Sequence, residues 1–133
     1  MIQIEEPLLG WLLLAARLCL AGVFLVSGVH KALFYGKARD EFRQAAVPAT
    51  DVLLPMTILL HLVASAGMII GIYSRESALL LAAFTVMATL KVHCFWLMEG
   101  AERLDRSRIA LSNLAIVGGL LLLVATGPGR LAF

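Results

Sequence analysis

Four runs of mostly apolar residues divide the chain, at about 8–33, 52–72, 78–98 and 109–126. Each is long enough to supply the ~20 helical residues that cross a bilayer. None alternates at strand period, so a membrane β-barrel has no support. The pattern predicts an all-α integral membrane four-helix bundle, one domain over residues 1–133. Pro55 falls in the first turn of the second run, where its missing N–H costs little. The fourth run stops at TGPGR, residues 126–130.

The intervening segments are unequal. Residues 34–51 (FYGKARDEFRQAAVPATD) mix charge with apolar positions and predict a short interfacial helix ending near Val47-Pro48. YSRES at 73–77 reads as a tight hairpin, and EGAERLDRSR at 99–108 as a polar loop. Small residues at four-residue spacing, Gly67 with Gly71 and Ala115 with Gly119, predict close helix packing within the bundle, where lipid removes the hydrophobic drive to associate.

Composition agrees with this picture. The chain is 61% hydrophobic and 15% charged, against ~25% charged in soluble domains. A net charge of +2 with no basic run argues against a nucleic-acid partner. The apolar run near the N-terminus follows Glu5 and Glu6 and lacks a cleavage site, unlike a signal peptide. Lys37, Arg39, Arg43, Arg103, Arg106 and Arg108 lie on one side of the bundle, Arg75 and Arg130 on the other. That bias predicts loops 34–51 and 99–108 in the cytoplasm and both termini outside.

Candidate chemistry lies in the ionisable residues inside the apolar runs, since such groups are costly in lipid and turn toward the bundle interior or a polar cavity. His30 and Lys31 end the first run, Lys91, His93 and Cys94 end the third, and Asn113 lies one turn into the fourth. All belong to the face that bears loops 34–51 and 99–108. Aromatic residues Phe34, Tyr35, Phe95 and Trp96 gather at the same level, as an interfacial belt does. Arg17 and His61 are deeper. Arg17 is ~21 Å from Lys31 along the axis and His61 ~15 Å from that face, so the two are expected near mid-bilayer as an intramembrane polar pair. The four runs contain no carboxylate, so Arg17 needs His61, Ser65, Thr85, a backbone carbonyl or a ligand as acceptor.

Two readings of the loop-side layer stand side by side. Lys31 and Lys91 at span ends snorkel readily to the interface, and His30 and His93 can bond carbonyls across helices. Alternatively His30, Lys31, Lys91, His93, Trp96 and Asn113 line a pocket for a quinone or an anion, their donors meeting carbonyl oxygens and histidine passing protons near neutral pH. Bis-histidine haem ligation needs two histidines at one depth on facing helices; only the pair His30 and His93 meets the depth condition, and haem is not expected. No metal is expected either, because adjacent His93 and Cys94 do not face one point. Cys19 and Cys94 differ in depth by about three turns, too far for a disulfide.

The order and spacing of LVSGVHKALFYG (25–36), VP (47–48), LLPMTILLHLVASAGMIIGIYSR (53–75), ATLKVHCFW (88–96), SNLAIVGGLLLL (112–123) and GPGR (127–130) resemble the DoxX family of small, mostly bacterial four-span membrane proteins. The resemblance implies the bacterial inner membrane. It also implies oxidoreductase company: members include the membrane subunit of a thiosulfate:quinone oxidoreductase and a protein linked to a complex with superoxide dismutase and a thiosulfate sulfurtransferase. Arg17, Ser27, Gly28, Lys31, Gly67, Gly71, His93, Trp96 and Asn113 match the family pattern. Members often carry a glutamate where this chain has His61, which removes a permanent counter-charge for Arg17.

The expectation is therefore a membrane subunit of a quinone-linked oxidoreductase system, taking electrons from a protein partner because the chain has no redox-cofactor motif of its own. The alternative is a non-catalytic anchor, scaffold or chaperone for a partner protein, or a homo-oligomer. A P-loop, dinucleotide fingerprint, nucleophile elbow and HExxH are all lacking.

Overall fold

The computed structural model describes residues 5, 7–91, 99–129 and 131, and these form five helices in chain order. They are α1 (Leu8–Leu33), α2 (Tyr35–Gln44), α3 (Thr50–Ile70), α4 (Ser74–Lys91) and α5 (Gly100–Thr126). α1 packs along α3, α3 against α4 and α4 along α5, and a lighter α1–α5 contact closes the ring. Among the described residues α1 and α4 are diagonal, as are α3 and α5.

The four long helices enclose a core of Ala21, Phe24, Ala64, Met68, Ala78, Leu81, Ala82, Leu120 and Leu123. Four of those nine are alanine, which lets helix backbones approach where packing rather than hydrophobicity drives association. Large apolar side chains point outward instead: Val26, Met87, Leu114 and Leu122 are each at least 65% exposed. Arg17, His61, Ser65 and Thr85 are buried. An apolar rim around a partly polar interior suits lipid as the solvent. α1, α3 and the Arg103–Thr126 part of α5 are each long and apolar enough to cross a membrane.

α2 is a short helix between the first two spans, as expected, and it ends at Gln44, before the expected Val47-Pro48. It lays Ala38 and Phe42 on Leu54, with Tyr35, Val47 and Ile58 around them. The chain then turns through Ala46 and Ala49, both at positive φ, and Thr50 Oγ1 donates to the carbonyl of Val47 at 3.1 Å.

Two boundaries differ from the sequence expectation. The segment 99–108 is not a loop: α5 begins at Gly100. Its Ala, Glu, Arg and Leu are strong helix formers, so polarity there marks exposure rather than irregular backbone. The hairpin is also tighter than YSRES, because α4 begins at Ser74. Gly71 makes this possible at φ +94, its N–H and that of Ile72 both bonding the carbonyl of Gly67. A Cβ on Gly67 would stand 2.9 Å from the Ile72 carbonyl oxygen and 3.0 Å from Ser77 Oγ. The Gly67/Gly71 pair thus builds the α3–α4 turn, and Gly119 receives Leu20 of α1.

Candidate functional site

One face of α1 carries Arg17, Ala21, Phe24, Gly28 and Lys31, positions that recur at helical period and turn toward α3. The close approach at Gly28 sets the register. A Cβ there would lie 3.0 Å from the Cβ of His61 and 3.2 Å from Leu62 Cδ2. His61 therefore stands level with Phe24 and Gly28. Its ring meets Phe24 edge-on at 5.4 Å and Phe84 of α4 at 4.8 Å.

Arg17 lies about two turns further along, at the opposite end of α3. Nη1 donates to the carbonyls of Met68, at 2.9 Å, and Ile69, at 3.4 Å, and Nη2 donates to the carbonyl of Leu131. The carbonyls of Met68 and Ile69 belong to the last turn of α3, which leaves them without intrahelical donors. Arg17 thus caps α3 with a cation, the favourable sign at a helix C-terminus, and ties the C-terminal segment to the same point. This corrects the expected Arg17–His61 pair. α1 outruns α3 at this end, so Arg17 is level with the end of α3 rather than with its middle. The carbonyl alternative is the one realised, and both ring nitrogens of His61 have no hydrogen-bond partner among the described residues.

At the other end of α1, Lys31 turns back one helical turn and donates from Nζ to Ser27 Oγ at 2.6 Å. Phe34 breaks the helix with φ −115 and ψ 52 before α2 leaves at an angle. Between the two helices lies a half-open groove of about 260 Å³. Its polar lining is Ser27, His30, Lys31, Lys37 and Glu41, and its apolar lining includes Val23, Val26 and Phe34. The His30 ring rests 4.9 Å from that of Phe34. Two ammonium groups face one carboxylate, so the groove is net cationic and rich in donors, with an apolar edge on the lipid side. Whole-ligand pockets enclose roughly 300–1,000 Å³, so a volume of this size suits a head group whose tail stays in the bilayer.

The structure divides the loop-side layer read from the sequence. His30 and Lys31 line the groove, whereas Asn113 does not: its Nδ2 donates to Thr89 Oγ1 at 2.9 Å and joins α5 to α4. Lys91 is exposed at the end of α4 and is also outside the groove lining. His93, Cys94 and Trp96 lie outside the described residues. Lys37 and Glu41 were missed by the sequence reading. Their signal was the amphipathic spacing of 34–51, which puts Lys37, Ala38 and Glu41 on one side of a helix once its start is known.

The described residues contain no cluster of three or more metal-ligating side chains. Comparison with known proteins places the chain. The DoxX family pattern matches residues 12–94. The inner membrane protein YqjF of Escherichia coli K12 is 32% identical over 116 residues, covering 87% of this chain and 84% of that protein. The inner membrane protein YphA of the same organism is 24% identical over 121 residues, covering 91% and 86%. No solved structure matches. With apolar helices of spanning length and inner-membrane relatives along most of its length, the chain is an integral inner-membrane protein and belongs to the DoxX family.

Proposed function

We propose that the chain is the membrane subunit of a quinone-linked oxidoreductase system, and that the α1–α2 groove receives the quinone head. The observation that carries this reading is the groove's two-sided lining. Lys31, Ser27 and His30 offer donors to carbonyl oxygens, while Val23, Val26 and Phe34 open toward the acyl chains. A ring with two carbonyls and an isoprenoid tail has that polarity. Electrons come from a protein partner, and the groove supplies binding, orientation and a proton-exchanging imidazole.

The test is retention. Protein purified from its own membranes carries quinone, measured in a solvent extract by ultraviolet absorption. Lys31→Ala weakens retention by about tenfold or more, the worth of one charge-assisted hydrogen bond, with thermal stability unchanged. Quinone absent from the native preparation would refute the reading. It would leave the second one, a non-catalytic partner that uses the exposed Lys37, Asp40 and Arg43 of α2 to hold another protein.

A further inference from the structure

Polar side chains inside the bundle fall into two groups on either side of His61. Toward the loop-bearing face they are engaged. Thr57 Oγ1 donates to the Leu53 carbonyl at 2.8 Å, Thr85 Oγ1 to Leu81 at 2.7 Å and Thr89 Oγ1 to Thr85 at 2.8 Å, and Asn113 closes the set on Thr89. Toward the hairpin face Arg17 Nη1 and Nη2 are bonded to carbonyls, but several other polar atoms are not. Both ring nitrogens of His61, Ser65 Oγ, Ser74 Oγ and Arg17 Nε are buried without a hydrogen-bond partner among the described residues. His61 is 2% exposed and Ser65 0%.

These groups lie between the middle of α3 and its hairpin end. Ser65 is one turn from His61 on the same face of α3. Ser74 opens α4 at the hairpin, just beyond the end of α3. From His61 to the end of α3 is about 14 Å. Native proteins pair their buried polar groups, using ordered water where the chain supplies no partner. A neutral imidazole has one N–H and one bare nitrogen, and a hydroxyl both donates and accepts, so each member can hold water in either sense.

We propose that a file from Ser74 through Ser65 holds hydrogen-bonded water and connects His61 to the aqueous phase at the hairpin face, and not at the loop-bearing face. In the exchange a hydronium ion delivers its proton to the bare ring nitrogen, and the N–H of the other nitrogen is released to water. One proton enters and one leaves, with no redox change. Among the described residues Arg17 of α1 is the charged group buried in this interior, and Lys31 lies beyond His61 in the α1–α2 groove; α3 and α4 present hydroxyls and Phe84. The proposal goes beyond the quinone reading and does not need it, because the exchange occurs in quinone-free protein.

The experiment uses uniformly ¹⁵N-labelled protein with His30→Gln and His93→Gln, so that the only histidine ring signals are those of His61, in phosphatidylcholine–phosphatidylglycerol bilayers transferred to D₂O. The His61 ring N–H exchanges while the backbone amides of residues 58–64 remain protected. Ser65→Ala slows that exchange about tenfold, as loss of one bridging hydrogen bond does, and Thr85→Val leaves it unchanged. An N–H that persists as long as those amides overturns the proposal, and so does slowing by Thr85→Val without slowing by Ser65→Ala. Amide protection in the same spectra shows which variants fold, and Ser65→Cys replaces Ser65→Ala if the alanine variant does not.

Discussion

Replacing Arg17 with methionine keeps most of the side-chain volume and removes the guanidinium that joins the end of α3 to the C-terminal segment. Three carbonyls lose a donor: Met68 and Ile69 in the last turn of α3, and Leu131 beyond α5. Arg17 is 0% exposed, so water does not readily take its place. Leaving a buried acceptor without its donor costs ~1–3 kcal/mol, so the two closest carbonyls together cost ~2–6 kcal/mol. Methionine falls at the lower end of that range, because the cost of burying the cation disappears with it. Lysine keeps the charge but is a compact point donor without the planar fork that reaches two chain segments, so Arg17→Lys costs about half as much. The assay is reversible unfolding in mixed micelles, with SDS mole fraction as the denaturing variable. Ending the chain after Gly129 removes the Leu131 carbonyl and costs ~1.5–3 kcal/mol, the worth of a hydrogen bond to a charged group. Combined with Arg17→Met, the truncation adds less than its cost in the native background, because the bond it breaks is already gone. Strict additivity, or an Arg17→Met protein as stable as the native one, refutes the capping role.

Three further outcomes follow from close contacts. Gly28→Val forces α1 away from His61 and Leu62, which stand 3.0 and 3.2 Å from the new Cβ; overpacking costs ~1–3 kcal/mol in the same unfolding assay. Gly71→Ala places a Cβ at φ +94 in the hairpin and costs ~1–2 kcal/mol, seen as a lower unfolding midpoint with unchanged helix content by circular dichroism. Asn113→Ala and Thr89→Val each cost ~1 kcal/mol by losing the α4–α5 hydrogen bond, and the double variant costs less than their sum in a double-mutant cycle.

The helices were legible because lipid imposes length and apolarity on each of them. The 8–33 run became α1, and the 52–72 run differs from α3 by two residues at each end. The polar stretch 99–108 reads as a loop yet is helical from Gly100, because charge lowers hydropathy without lowering helix propensity. At the candidate site, depth along each span was legible and azimuth was less so. Counting at the helical rise put His30, Lys31 and Asn113 near one face. It did not tell that α1 and α4 are diagonal, nor that Asn113 spends its amide on Thr89. Arg17 was misplaced for a related reason. Its depth was reckoned within α1 alone, whereas its partners are set by where the shorter α3 ends.

Among the described residues, three cations stand at helix ends. α3 ends on Arg17, α4 carries Lys91 in its own last turn, and at the end of α5 the Arg75 guanidinium lies over Gly127. Each puts positive charge where the helix dipole is negative, and none of the three requires a ligand. Lys31 departs from that rule. It has the last-turn position of α1, yet its ammonium turns back toward the preceding turn, to Ser27, and into a groove shared with Lys37 and Glu41. His61 departs as well: an imidazole at mid-helix, away from any helix end and without a hydrogen-bond partner among the described residues. The two exceptions are neighbours across the Gly28 contact, Lys31 less than one turn beyond it on α1 and His61 directly beneath it on α3. A functional account of this protein therefore turns on one short stretch of the α1–α3 seam, where side chains are placed as helix geometry alone does not require.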